Sequence, residues 1–192
     1  MKTPKELEPL LPSLQAVQSL IDHFKKRGIV IGGAAICLLG EPRMTADVDA
    51  LLLVSIEDVQ ELLKTAQQIG FVPRVKNVEQ FARKNRVVLL RHEPSGTDVD
   101  ISLGALPFEQ EAVQRSQLVR TGNLRVRVPT VEDLIILKAI AHRPKDLLDV
   151  RNLVALYSGL DFKRIENWVR QFADLMEAPE LWNDIAPMLR KK

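Results

Sequence analysis

Two three-residue segments constrain this chain more than any other feature: Asp47-Val48-Asp49 and Asp98-Val99-Asp100. Each belongs to a run rich in Val, Ile and Leu, residues 47–54 and 97–103, that reads as a strand. Side chains alternate along a strand, so both acids of a segment face one way and the valine faces the other, with the acids about 6.5–7 Å apart. In the second run Val99, Ile101 and Leu103 make the opposite face apolar. Two anions held this close repel unless a cation lies between them. A pair of divalent ions with hard oxygen ligands, of the magnesium kind, answers that repulsion; a well-solvated strand end answers it equally. If the two strands are neighbours, three or four carboxylates converge on one patch of sheet. Asp100, deeper in its strand, is then the third ligand beside Asp47 and Asp49. Asp98, next to the Ser95-Gly96 turn, is either a further ligand or an edge residue.

The surrounding pattern supplies a sheet for these strands. Leu14, Val17, Ile21 and Phe24 lie on one helical face, closed by Lys25, Lys26, Arg27 and Gly28. A short apolar strand at 29–31 runs into Gly32-Gly33 and then a helix over 34–39. A helix over 56–69 follows the first acidic strand and stops at Gly70. Residues 87–91 and 97–103 flank Glu93-Pro94-Ser95-Gly96 and read as an antiparallel hairpin. A helix over 107–115 leads to two short strands within 118–128, turned at Gly122-Asn123. Beyond residue 128 the pattern is helical throughout: 130–142, 144–157, 161–176 and 179–189. The expected class is α/β (α+β): a small mixed β-sheet flanked by helices, with a C-terminal helical bundle. The division expected is a sheet domain with its N-terminal helix over 1–128 and a helical region over 129–192 packed on it.

Gly32 and Gly33 stand where a strand turns into a helix. Glycines there let backbone N–H groups approach an anion at a helix N-terminus, and they also suit a plain tight turn. Arg43 and Thr45 occupy the loop before Asp47. Arg43 is placed either to clamp a phosphate with both guanidinium edges or to sit in solvent as a loop cation. In the helical part, Lys138 falls within the apolar arc of Val131, Leu134, Ile135 and Ala141. It either snorkels to an edge or serves an anion. Pro144 opens the next helix, and Asp146 in its first turn is either a functional acid or a complement to the helix dipole. Asp149, one turn on, is either a surface residue or a member, with Lys138, Arg143 and Asp146, of a charged cluster at a helix–helix corner inside an apolar surround.

Composition removes several classes. With 27 Lys and Arg against 25 Asp and Glu, no strong field favours wholesale coating of nucleic acid, although a local basic face is allowed. The single cysteine, Cys37, rules out an internal disulfide and any zinc site of paired thiolates; it reads as core packing. His23, His92 and His142 have no metal-ligand spacing. No apolar run reaches the roughly 20 residues of a membrane span, and the opening MKTPKELEPLLPS interrupts any signal-like core with Pro and Glu. A cytoplasmic location without a membrane partner is expected.

The ordered set Gly32-Gly33-Ala34, Arg43-Met44-Thr45-Ala46-Asp47-Val48-Asp49 and Asp98-Val99-Asp100 resembles the DNA polymerase β-like nucleotidyltransferase superfamily. The downstream Glu132-Asp133-Leu134, Lys138, Arg143-Pro144-Lys145-Asp146 and Asp149 make it most similar to AbiEii-like toxin nucleotidyltransferases. The resemblance implies two magnesium ions and transfer of a nucleoside monophosphate from a nucleoside triphosphate to a hydroxyl, on an RNA 3′ end or a protein. It also implies the possibility of a partner antitoxin. Carried over, it makes Asp47, Asp49 and Asp100 the metal ligands, with Asp100 activating the acceptor. Gly32 and Gly33, with Arg43 and Thr45, would hold the triphosphate. Lys138 would neutralise phosphate, and Asp146 would match the family's downstream acid. Superfamily members often carry Gly-Ser where this chain has Gly32-Gly33, so a hydroxyl contact to phosphate is missing. The alternative is a silent module that keeps the fold and binds nucleotide or protein without turnover.

Overall fold

A computed structural model describes residues 3–189. The chain divides into two compact units. The first runs up to Leu38 and resumes over Pro42–Pro129; the second comprises Leu39–Glu41 and the chain from Thr130 onward. The ends of the two ranges expected from sequence, 1–2 and 190–192, lie outside the described residues.

In chain order the first unit carries α1 (Leu11–His23), β1 (Gly28–Ile31), α2 (Gly32–Leu39, its last residue in the second unit), β2 (Asp47–Leu52), α3 (Val59–Gln68), β3 (Phe71–Pro73), α4 (Val78–Asn85), β4 (Val87–His92), β5 (Thr97–Leu103), α5 (Pro107–Gln114), β6 (Gln117–Thr121) and β7 (Leu124–Val128). Five strands form one sheet in the order β1-β2-β5-β4-β3. The β2–β5 pair is parallel and the others are antiparallel. Burial explains the order: Val48, Val99, Ile101 and Val88 are fully buried, so β2, β5 and β4 share an apolar face. Leu14, Val17 and Ile21 of α1 are also fully buried, and α1 contacts β1 and β2. The β6–β7 hairpin lies beside α1, where the buried Gln18 accepts the Arg127 backbone N–H at 2.8 Å.

Most elements form where the pattern placed them, with three differences. The first acidic strand ends at Leu52 rather than 54. A 3₁₀ turn, Ile56–Asp58, precedes α3, with the Ser55 side chain accepting from the Glu57 N–H. Residues 71–86, unassigned from the pattern, form β3 and α4. The former is a three-residue edge strand ending in a proline; the latter turns Val78, Phe81 and Ala82 to one face, a stripe only one turn long.

The second unit carries α6 (Val131–Ala141), α7 (Pro144–Leu156), α8 (Phe162–Leu175), α9 (Glu180–Asn183) and α10 (Ala186–Leu189). Thr130 caps α6 through the Asp133 N–H, and Asp161 caps α8 through the Arg164 N–H at 2.9 Å. The helix α8 buries Ile165, Val169 and Ala173, an i, i+4, i+8 stripe. The single helix expected over 179–189 is instead two short ones. Pro187 cannot donate to the carbonyl of Asn183 and crowds it, which breaks the run. Among the described residues no helix is long and apolar enough to cross a membrane.

Candidate active site

The register of the parallel pair brings the two acidic segments together. Asp47 lies opposite Asp98, Val48 opposite Val99, and Asp49 opposite Asp100. Residues opposite one another on neighbouring strands share a face, and neighbouring strands lie about 4.8 Å apart. Four carboxylates therefore occupy one face of the sheet, while Val48 and Val99 fill the core behind them.

The glycine pair abuts this patch. Gly32 has φ +64°, and a Cβ there would overlap the Asp49 carboxylate; a Cβ on Gly33 would overlap the Thr45 hydroxyl. That hydroxyl donates to Asp47 Oδ1 at 3.1 Å. Gly32, Gly33, Thr45, Asp47 and Asp49 thus form one continuous surface. It exists because two residues in succession lack side chains and one of them adopts a left-handed backbone. Arg43 lies along its own loop, donating to the Met44 carbonyl at 3.4 Å while its carbonyl accepts from the buried Cys37 thiol at 3.2 Å.

Two arginines that sequence reasoning passed over complete the patch. Arg74 follows β3 and is tied to the sheet by its N–H, which donates to the Leu89 carbonyl at 3.0 Å. Its guanidinium donates to Asp98 Oδ2 at 3.2 Å and also pairs with Asp100. Arg91, opposite Asp98 on β4, donates to Asp98 Oδ1 at 3.2 Å. Arg91 was findable from the hairpin register; Arg74 had no signal, because the three-residue edge strand it follows shows no alternation. Burial pushes the Asp100 carboxyl above the usual range against the pull of Arg74, and the charges of Asp47 and Asp98 push the same way as burial.

In the second unit, Lys138 and Asp146 are brought together with Asp149. The Lys138 ammonium lies 2.9 Å from Asp146 Oδ1 and 3.1 Å from Asp149 Oδ2, with all three side chains at most 4% exposed. Asp149 is therefore buried rather than on the surface, as a member of the charged cluster with Lys138, Arg143 and Asp146. Arg143 donates its backbone N–H and its Nε to Asp146 Oδ2, at 3.3 and 2.5 Å. Burial alone would raise the Asp146 carboxyl; the bonds from Arg143 and Lys138 outweigh it and hold the carboxyl below its ordinary value.

The donors on the sheet face are hard oxygens suited to magnesium or a similar ion. The Asp100 carboxyl is raised chiefly by burial, and the charges of Asp47 and Asp98 add to that shift, so a cation on this face would be welcome. Among the described residues, however, no three or more acid, imidazole or thiol groups converge closely enough to hold a metal ion as they stand. The Arg74 guanidinium holds Asp98 and Asp100 instead.

Solved structures share the fold of this chain. An antigenic nucleotidyltransferase-like protein from Paracoccidioides brasiliensis is similar at TM-score 0.56 and 18% identity, covering 100% of this chain and 95% of that one. The antibiotic-resistance factor ANT(2″)-Ia is similar at TM-score 0.59 and 16% identity, with 88% and 94% covered. The lincosamide antibiotic adenylyltransferase LnuA, solved with lincomycin bound, is similar at TM-score 0.51 and 17% identity, with 81% and 99% covered. No curated protein sequence matches the chain. Residues 6–183 match the family described as nucleotidyltransferase of unknown function, DUF6036, and the chain belongs to that family. It is a nucleotidyltransferase, an enzyme that moves a nucleoside monophosphate.

Proposed function

We propose that the chain transfers a nucleoside monophosphate from a nucleoside triphosphate to a hydroxyl acceptor in a magnesium-dependent reaction, with Asp47, Asp49 and Asp100 as the ligands of two ions. The observation that carries this reading is the register of β2 and β5, which sets Asp49 opposite Asp100 on the face that Gly32 lines. Magnesium ions held there would neutralise the triphosphate and the charge developing on the departing pyrophosphate. Gly32 and Gly33 leave room for the triphosphate to approach the backbone, and Thr45 orients Asp47 through its hydroxyl. Arg43, at the rim of that loop, contacts phosphate. Asp100, whose carboxyl already holds its proton more tightly than an ordinary aspartate, accepts the proton of the acceptor hydroxyl. Arg74 has to leave Asp100 for this arrangement to form. Lys138 and Asp146 enter the reading as an ion cluster of the second unit rather than as phosphate ligands, because the Lys138 ammonium is already committed to two carboxylates.

The likeness to AbiEii-like toxins favours a macromolecular acceptor, an RNA 3′ end or a protein hydroxyl, and with it a cognate antitoxin. The solved neighbours favour a second reading, a small polyhydroxylated acceptor. ANT(2″)-Ia was solved in complex with adenylyl-2″-tobramycin and LnuA with lincomycin. Incubating the protein with each α-labelled triphosphate, magnesium and a mixture of total RNA, protein and hydroxylated small molecules decides between them. Label in RNA or protein supports the first reading, and label in the small-molecule fraction the second. No label in any fraction, with pyrophosphate never released, overturns both.

A further inference from the structure

At the end of the sheet away from the carboxylates lies an open cavity of about 690 Å³ whose lining includes Lys26, Arg27, Arg86 and Arg127. The register explains the gathering. The start of β1, the ends of β2 and β5 and the start of β4 all meet at this end: Gly28 pairs with Leu52, Leu52 with Leu103, and Val87 with Ser102. Residues just outside those strands are drawn together by backbone bonds. The Leu53 N–H donates to the Arg27 carbonyl and the Leu103 N–H to the Arg86 carbonyl, both at 2.8 Å. The carboxylates sit at the other ends of β2 and β5. Asp49 and Leu53 are four residues apart, about 13 Å along the strand.

Nothing acidic lines this cavity, and among the described residues none of its four cations forms an ion pair. The nearest acids are engaged elsewhere. Glu109 accepts the N–H groups of Ala105 and Leu106 at 2.7 and 2.8 Å, and Glu57 is bonded to the Ser55 hydroxyl, with Arg86 within electrostatic reach. Arg127 Nε is buried with no hydrogen-bond partner, although its other arm donates to Ser116 at 3.1 Å. A buried guanidinium N–H with no acceptor is destabilising until something accepts it. The backbone is also strained here: Lys25, Lys26 and Arg86 have φ of 56°, 61° and 53°. These are left-handed positions at helix ends, where glycine is the usual residue.

We infer that this cavity is a second binding site, for a small anion carrying two or more phosphoryl-type groups, separate from the carboxylate face. Four positive charges around one concavity repel one another, and a multiply charged oxyanion relieves that repulsion. Guanidinium forks match its oxygens edge to edge, and the Gln110 side-chain amide in the lining offers an uncharged donor. The volume suits a small molecule rather than a nucleic-acid strand.

The test is calorimetric titration of inorganic pyrophosphate into the full chain in chelator-treated, metal-free buffer at constant ionic strength. Without divalent ions the carboxylate face repels pyrophosphate, so binding reports the cavity alone and is independent of any transfer activity. The wild type binds; exchanging the two exposed cations together, Lys26→Gln with Arg27→Gln, weakens binding by about ten-fold or more, equivalent to about 1.4 kcal/mol. Asp49→Asn leaves the affinity within about two-fold. Absence of binding to the wild type overturns the site and leaves Lys26 and Arg86 as complements to the C-terminal dipoles of α1 and α4. Binding that the double exchange leaves untouched overturns it as well.

Discussion

The carboxylates of β2 and β5 and those of α7 meet cations in opposite circumstances. On α7, Asp146 and Asp149 are buried and Lys138 bonds both, with Arg143 adding to Asp146; the net result is a carboxyl held below its ordinary value. On the sheet, Arg74 and Arg91 bond Asp98, and Arg74 bonds Asp100. Yet the Asp100 carboxyl stays above its ordinary value, because Asp47 and Asp98 add repulsion to burial. Charges matched and enclosed stabilise the unit that holds them. Charges left in excess on a half-open face oppose folding, and are kept where a reaction uses them.

The sharpest break between the two regions is Asp49→Asn. It removes an acid from the sheet face and is expected to lower nucleotidyl transfer by about 10³-fold or more, with stability little changed. Pyrophosphate release and urea unfolding measure the two quantities on one sample. Retained transfer would end the role assigned to Asp49.

Lys138→Ala is the converse. It removes the cation shared by two buried carboxylates, with Arg143 still bonding Asp146, and is expected to cost about 3–5 kcal/mol of stability, read as a lower urea midpoint. A cost below about 1 kcal/mol would show that the cluster carries little net stability.

The same contrast has a pH signature. Because the Asp146 carboxyl is depressed in the folded chain, its contribution is complete above its unfolded value of about 3.9 and is lost as the pH falls through its lower folded value. Asp146→Asn therefore flattens the acid limb of a melting-temperature profile. An unchanged limb would place that dependence on other groups.

For Asp100 the sign reverses. Its carboxyl is raised, so its ionisation at neutral pH works against folding. Asp100→Asn is expected to raise the melting temperature at pH 7 by about 1–2 °C while abolishing transfer. A lower melting temperature would mean that the Arg74 bond outweighs the repulsion. The smallest expected effect is that of Arg74→Gln. By releasing Asp100, and leaving Asp98 to Arg91 alone, it should lower the manganese concentration that half-saturates the site a few-fold, followed by paramagnetic resonance of free ion. An increase would make Arg74 a support for the carboxylates rather than a competitor.

Much of the sheet was legible without coordinates because alternation has a fixed period. Val48, Val99 and Ile101 had to point away from Asp47, Asp49, Asp98 and Asp100 wherever the strands lay. The glycine pair, the hairpin at 93–96 and Pro144 at the start of α7 were legible for the same reason: each rests on local stereochemistry. The edge strand β3 and helix α4 were not: three residues are too few to show alternation, and the stripe Val78, Phe81 and Ala82 of α4 spans barely one turn. Arg74 was lost with them.

Sequence alone determined that two acid pairs would each share a strand face and that a glycine turn would precede the first of them, because both follow from bonded geometry over a few residues. Tertiary structure decided which strands became neighbours, and in what register. It set Asp49 opposite Asp100, brought Arg74 to bridge Asp98 and Asp100, enclosed Asp149 beside Lys138, and gathered four cations at the other end of the sheet. Those outcomes depend on contacts between residues far apart in the chain, and such contacts form only when burial of the whole apolar face selects one pairing among many.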